Sequence, residues 1–104
     1  MRIGRVVKVK ADMKERYKQL HAKPWAEVTK AIHDCNIKNF SIYLKGELLF
    51  SYFEYIGDNY AQDMKALDEL TKDWLKETDQ CQEPVEGALE GELWSVMEEV
   101  FYQE

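Results

Sequence analysis

Few features of this sequence commit it to a chemistry by motif. Its five glycines are scattered, and none opens a helix in a GxGxxG or GxxxxGK pattern, which excludes the familiar phosphate-cradling loops. Cys35 and Cys81 lie far apart and form no CxxC pair, and His21 and His33 stand twelve apart without HxxxH spacing. No metal-ligand set is visible, and both thiols read as free in a reducing compartment. No apolar run approaches the eighteen or so residues of a membrane span. Met1-Arg2-Ile3-Gly4-Arg5 lacks the apolar region of a signal peptide, so the expected location is the cytoplasm. Positive charge is scarce: 14 basic residues face 20 acidic ones, a net charge of −6. Nucleic acid and anionic membrane both need a basic face and are excluded as main partners. The carboxylates are too many and too dispersed to single out a catalytic acid pair.

What remains is a chain of 104 residues, enough for one domain spanning residues 1–104. Hydrophobic residues make up 45% and charged residues 33%, a globular composition. Thirteen aromatics will dominate core and pocket surface. Arg5 to Lys10 alternates Val with charge and predicts a strand with one wet face. Asp12, with Glu15 three residues on, is a capping-box candidate for a helix over about Met13 to Ala22. Pro24 to about Cys35 predicts a second helix, its buried stripe drawn from Trp25, Val28 and Ile32. Asn36 to Leu44 and Leu48 to Ile56 predict two strands joined by Lys45-Gly46-Glu47, a hairpin. Asp58 or Asn59 caps a helix over Tyr60 to about Lys76, with a possible interruption at Leu70-Thr71. Thr78 to Glu92 carries no clear period and predicts a long loop, of a kind that tends to be functional or mobile. Leu93 to Tyr102 predicts a final strand, although Trp94 to Glu99 also suits a helix.

The order strand, helix pair, strand, strand, helix, strand suits a split βαβ arrangement: α+β, an antiparallel sheet with helices on one face. The other face, carrying some of Tyr43, Tyr52 and Phe53, needs a cover. A second copy of the chain is the simplest one.

The stretch Tyr17-Lys-Gln-Leu-His-Ala-Lys-Pro-Trp25 holds the main chemical candidate. Tyr17 and His21 are four apart, so on a helix both leave the same face one turn from each other. Pro24 disfavours helical geometry at the residue before it, which places His21 at a helix end beside a backbone break. Histidine can exchange a proton near neutrality, and a phenol and an indole here offer walls for an uncharged ligand. His21 also reads as a structural, hydrogen-bonded histidine. His33 reads as a surface residue or cap, Tyr43 as core or pocket, Trp74 as core or a sugar-stacking residue, and Trp94 as packing or interface.

Several segments together resemble the L-rhamnose mutarotase family. They are Tyr17-x-x-x-His21 with Pro24-Trp25, Asn39-Phe40-Ser41-Ile42-Tyr43-Leu44, Leu48-Leu49-Phe50, Asp73-Trp74-Leu75-Lys76 and Glu99-Val100-Phe101-Tyr102. The resemblance implies a dimeric ferredoxin-like α+β fold, joined through the helix-free sheet face. It implies an isomerase that exchanges the α and β anomers of a monosaccharide without cofactor or metal. It makes His21 the proton donor and Tyr17, Phe40, Trp74 and Leu75 the substrate contacts. Two of these depart from the family, which has tyrosine at the Phe40 position and tryptophan at the Leu75 position. One hydroxyl and one indole nitrogen are gone, and loss of such groups changes which sugar is preferred. L-rhamnose is the expected substrate and L-fucose an alternative. Other readings on this architecture are a cofactor-less monooxygenase or haem-degrading enzyme, and a sugar-binding module without chemistry.

Overall fold

Alternation along β1 (Arg2–Val9) sets the two layers of the molecule. The computed structural model describes all residues, Met1–Glu104. Ile3, Arg5, Val7 and Val9 point one way, and Val7 and Val9 are fully buried on that side. Arg2, Gly4, Val6 and Lys8 point the other way. A single 3-10 turn, Ala11–Met13, leads into α1 (Lys14–Ala22), and α2 (Ala26–Asp34) follows the Pro24 break. The hairpin β2 (Ile37–Lys45) and β3 (Leu48–Tyr55) turns through Gly46 at φ +62°, the left-handed region that glycine enters without strain. The helix pair α3 (Tyr60–Leu70) and α4 (Lys72–Asp79) breaks at Thr71, as the sequence suggests, and the Asn59 side chain caps α3 by accepting from the Gln62 N–H. Two short strands close the chain, β4 (Gln82–Glu83) and β5 (Ser95–Met97).

The sheet is antiparallel, with order β2-β3-β1-β4 and β5 also on β1. The order is that of a ferredoxin-like α+β fold, in agreement with the element pattern. Its fourth strand is split. Glu83 lies opposite Lys8, and the pairing resumes with Ser95 opposite Val6. Residues 84–94 therefore loop out of one edge strand at the level of Val7.

The core lies between sheet and helices. Val7, Val9 and Leu49 from the sheet meet Tyr17, Leu20, Val28 and Trp74 from the helices. A second cluster, Ile37, Phe53 and Tyr55, fills the end near α3. Both cysteines are free and buried.

Five expectations need correction, and one is that Thr78 to Glu92 is not all loop, since α4 runs to Asp79 and β4 takes Gln82–Glu83. Asp12 does not cap α1. It sits inside the 3-10 turn, where the Met13 N–H bonds to the Lys10 carbonyl, and the N-cap is Met13. The second helix begins at Ala26, because Trp25 keeps an extended backbone and only its carbonyl joins the helix. Phe53 does not share the open face with Tyr43 and Tyr52; it pairs with Ile3 on the helix side and is almost fully buried. The last strand is only Ser95–Met97. Beyond it the tail is held by side chains, with Glu99 taking two bonds from the Arg2 guanidinium and Tyr102 stacked on it.

Candidate active site

Helical spacing on α1 does what the sequence suggests. Tyr17 and His21 stack, with ring centroids 4.2 Å apart and planes 27° from parallel. Trp74, one turn into α4, approaches the histidine edge-on at 5.2 Å. Trp25, from the break between α1 and α2, meets Trp74 at the same distance. Two aromatic rings thus meet one half-buried imidazole, and a third, Trp25, packs behind Trp74.

The imidazole is fixed as well as enclosed. His21 Nδ1 lies 2.9 Å from the Tyr17 carbonyl oxygen. A carbonyl can only accept, so Nδ1 carries the proton. Nε2 has no protein partner and is not sealed from solvent. Burial lowers the His21 pKa from its ordinary value, opposed by that backbone bond.

Tyr17 is only 5% exposed. Its hydroxyl accepts from Gln82 Nε2 at 3.3 Å and keeps its own proton uncommitted. Burial pushes the phenol up to about 12, with the Gln82 bond opposing, so it stays protonated at any working pH.

The other expected contacts are placed less closely. Leu75 is half-buried against the main core beside Trp74. Phe40 packs on Phe53, 5.5 Å between centroids, in the second core region. His33 is exposed at the end of α2 beside Asp34. Tyr43 is on the open sheet face, 64% exposed, and so belongs to neither core nor cage.

Sequence reading missed a second group, which faces the helices from the sheet. Arg5 is flanked by the rings of Phe53 and Trp94, its guanidinium carbon 5.0 and 5.3 Å from their centroids. Ser51 lies directly opposite it on β3. Arg5 Nε, Ser51 Oγ and Gln82 Oε1 are all sealed from solvent and have no hydrogen-bond partner. The signal was available in parity: Arg5 shares a face with Val7 and Val9, and Ser51 with Leu49 and Phe53. Two hollows lie away from His21. One of about 380 Å³ is under the tail between Arg2, Tyr52 and Tyr102, and one of about 480 Å³ is within residues 84–93.

Comparison with known proteins identifies the family and the fold. Residues 2–103 match the family described as L-rhamnose mutarotase. A UPF0734 protein of Dictyostelium discoideum is 33% identical over 94 residues, covering 84% of this chain and 75% of that protein. Among solved structures, the L-rhamnose mutarotase of Formosa agariphila superposes with a TM-score of 0.76 at 24% identity, covering 100% of this chain and 99% of that one. Tetracenomycin F2 cyclase of Streptomyces glaucescens, a type-II polyketide cyclase, superposes at 0.67 and 16% identity, covering 100% and 96%. At those identities the superpositions establish the fold.

Proposed function

The chain belongs to the L-rhamnose mutarotase family, and from that premise we propose that His21 carries the proton in the anomer exchange of a 6-deoxy pyranose. The family makes the protein an isomerase and its activity that of a rhamnose mutarotase.

Exchanging anomers requires the bond between C1 and the ring oxygen O5 to break and re-form. In the proposed step a base removes the proton from the anomeric hydroxyl while the His21 imidazolium donates from Nε2 to O5. The C1–O5 bond opens to the free aldehyde, C1 rotates about C1–C2, and on closure at the other face the O5 proton returns to Nε2 while the base gives its proton back to the aldehyde oxygen, which becomes the anomeric hydroxyl. A positioned acid–base group typically contributes about 10²–10⁴-fold. That is a useful acceleration for a reaction that already proceeds in water.

The observation that carries this reading is the fixed ring. Nδ1–H is committed to the Tyr17 carbonyl, which leaves Nε2 as the working nitrogen. Trp74 and Trp25 supply apolar walls for the sugar's C–H face. The Tyr17 hydroxyl supports the cage from beneath and has a proton to donate. Phe40 and Leu75 stand for the family's sugar contacts in altered form.

The test is saturation-transfer NMR on L-rhamnose and L-fucose. The His21→Ala variant should remain folded and lose accelerated exchange on both. Exchange undiminished in the variant removes His21 from the chemistry.

The assembly is proposed as a homodimer. Away from the helices, Tyr43, Phe50 and Val6 form one row across the sheet, and Tyr52 and Met97 flank Gly4 in the next. Tyr43 and Met97 are exposed. An apolar sheet face of this extent supports a second copy as its cover.

A further inference from the structure

We propose that Arg5, with Ser51 and Gln82, forms the polar floor that reads the hydroxyl edge of the sugar, taking two adjacent hydroxyl oxygens on the guanidinium fork. The inference rests on the sugar-isomerase reading and names the groups that set its specificity.

A buried polar group without a partner is costly, and a buried charge more so. Such groups are rare in native proteins and call for an explanation. Here three lie on the helix-facing side of the sheet. Arg5 and Ser51 are directly opposed on antiparallel strands, which places their Cβ atoms about 5 Å apart on one face. Gln82 lies opposite Val9, four residues along the same face of β1. Its amide touches Tyr17, which stacks on His21. Turning the Gln82 amide over does not help: one of its ends stays unpaired whichever way it points. Ser51 is 3% exposed and Gln82 5%, so bulk water does not satisfy them.

The position of the floor follows from the split edge strand. Residues 84–94 leave the sheet opposite Val7, and Gln82 and Trp94 stand at the two ends of that excursion. Trp94 comes back over Arg5. The gap in the edge opens opposite Val7, between the Val9–Gln82 pair on one side and the Arg5–Val96 pair on the other.

The flanking rings decide which ligand suits Arg5. Phe53 and Trp94 both lie within about 6 Å of the guanidinium carbon, the range in which a ring face attracts a cation. No carboxylate forms an ion pair with Arg5. Its charge is met by π faces, and its sealed Nε–H still needs an oxygen in the guanidinium plane. Two vicinal hydroxyls of a neutral pyranose supply two acceptors at the spacing of the fork. Ser51 and the free end of Gln82 suit a further hydroxyl, since each can match either its proton or its lone pair. This polar set offsets the hydroxyl and indole N–H that Phe40 and Leu75 do not provide.

Binding is readable on the active protein, because an equilibrated anomer mixture undergoes no net reaction. Titration calorimetry would compare L-rhamnose, L-fucose, their analogues each lacking one ring hydroxyl, and a hexuronate. Native protein should bind one parent sugar best and discriminate against at least one deoxy analogue. Arg5→Met should weaken the parent sugar about tenfold to a hundredfold and bind that analogue no worse than native does. Arg5→Lys keeps a cation between Phe53 and Trp94 but loses the fork; it should melt near the native temperature and lose the same discrimination. Ser51→Ala should shift the preference at a hydroxyl, raising KM with kcat unchanged.

Native discrimination retained in Arg5→Lys or Arg5→Met overturns the proposal. So does a hexuronate bound more tightly by the native protein than any neutral sugar, which would make the floor an anion site. Loss of exchange in His21→Ala bears on the proton chemistry alone, so the two readings fail separately.

Discussion

Tyr17 holds His21 twice, by its ring at 4.2 Å and by its own backbone carbonyl, which accepts the Nδ1 proton at 2.9 Å. One residue therefore fixes the tilt of the imidazole and its tautomer. If the ring donates to O5 it does so from Nε2 as the imidazolium. Burial lowers the pKa of that form from its ordinary value of about 6.5. Enzymatic exchange, corrected for the uncatalysed rate, should fall as pH rises through the lowered His21 pKa. A rate that instead climbs with pH to a plateau would make the neutral ring the base at the anomeric hydroxyl. The profile of kcat/KM from pH 5 to 8 separates the two.

The same shift has a consequence for stability. A folded-state pKa below the unfolded one means that the unfolded chain binds more protons. The His21 contribution is therefore fully present above about pH 6.5 and is lost as pH falls through the lowered pKa. His21→Gln, which does not titrate, should melt with a weaker pH dependence between 5 and 7. Parallel melting curves for the two proteins over that range would show no difference in slope if the ring were freely solvated.

Tyr17→Phe removes one oxygen and keeps the stack. Gln82 then loses its only side-chain partner and is left with both amide ends unpaired. The cost expected for stranding a buried polar group is about 1–3 kcal/mol. In a chain of this size each kcal/mol corresponds to a fall of about 4–8 °C in Tm. Calorimetry should show that fall while exchange persists at a reduced rate, since the carbonyl that orients His21 is untouched. Exchange abolished as completely as in His21→Ala would instead give the phenol a direct part in the chemistry.

Much of this arrangement was legible in the residues. The four-residue spacing of Tyr17 and His21, the Pro24 break and the interruption at Thr71 are all local signals, and each appears where local rules put it. Arg5 was harder, because charge at the start of a strand normally marks its wet side. The phase set by Val7 and Val9 overrides that habit and turns Arg5 inward. The tail misleads in the opposite sense. Val100-Phe101-Tyr102 has strand composition, but β5 stops pairing with β1 at Gly4, and the following residues are tethered by Arg2. Gln82 gave no sequence signal, since its partner Tyr17 is 65 residues away.

The open sheet face makes the last prediction. Tyr43, Phe50 and Val6 lie side by side across three strands, with Tyr43 64% exposed at the β2 end. Standard stable interfaces bury about 800 Å² on each partner, which a four-strand face can supply. A carboxylate covered by such an interface would be desolvated without a partner, at a cost large against the association energy. Tyr43→Glu should therefore convert a dimer to a folded monomer, with an unchanged far-ultraviolet circular dichroism spectrum and halved mass in sedimentation equilibrium. The histidine cage is built within one chain, from α1, α4 and the turn before α2. The monomeric variant should thus retain measurable anomer exchange. A native chain that already sediments as a monomer at micromolar concentration would leave the apolar face without its second copy.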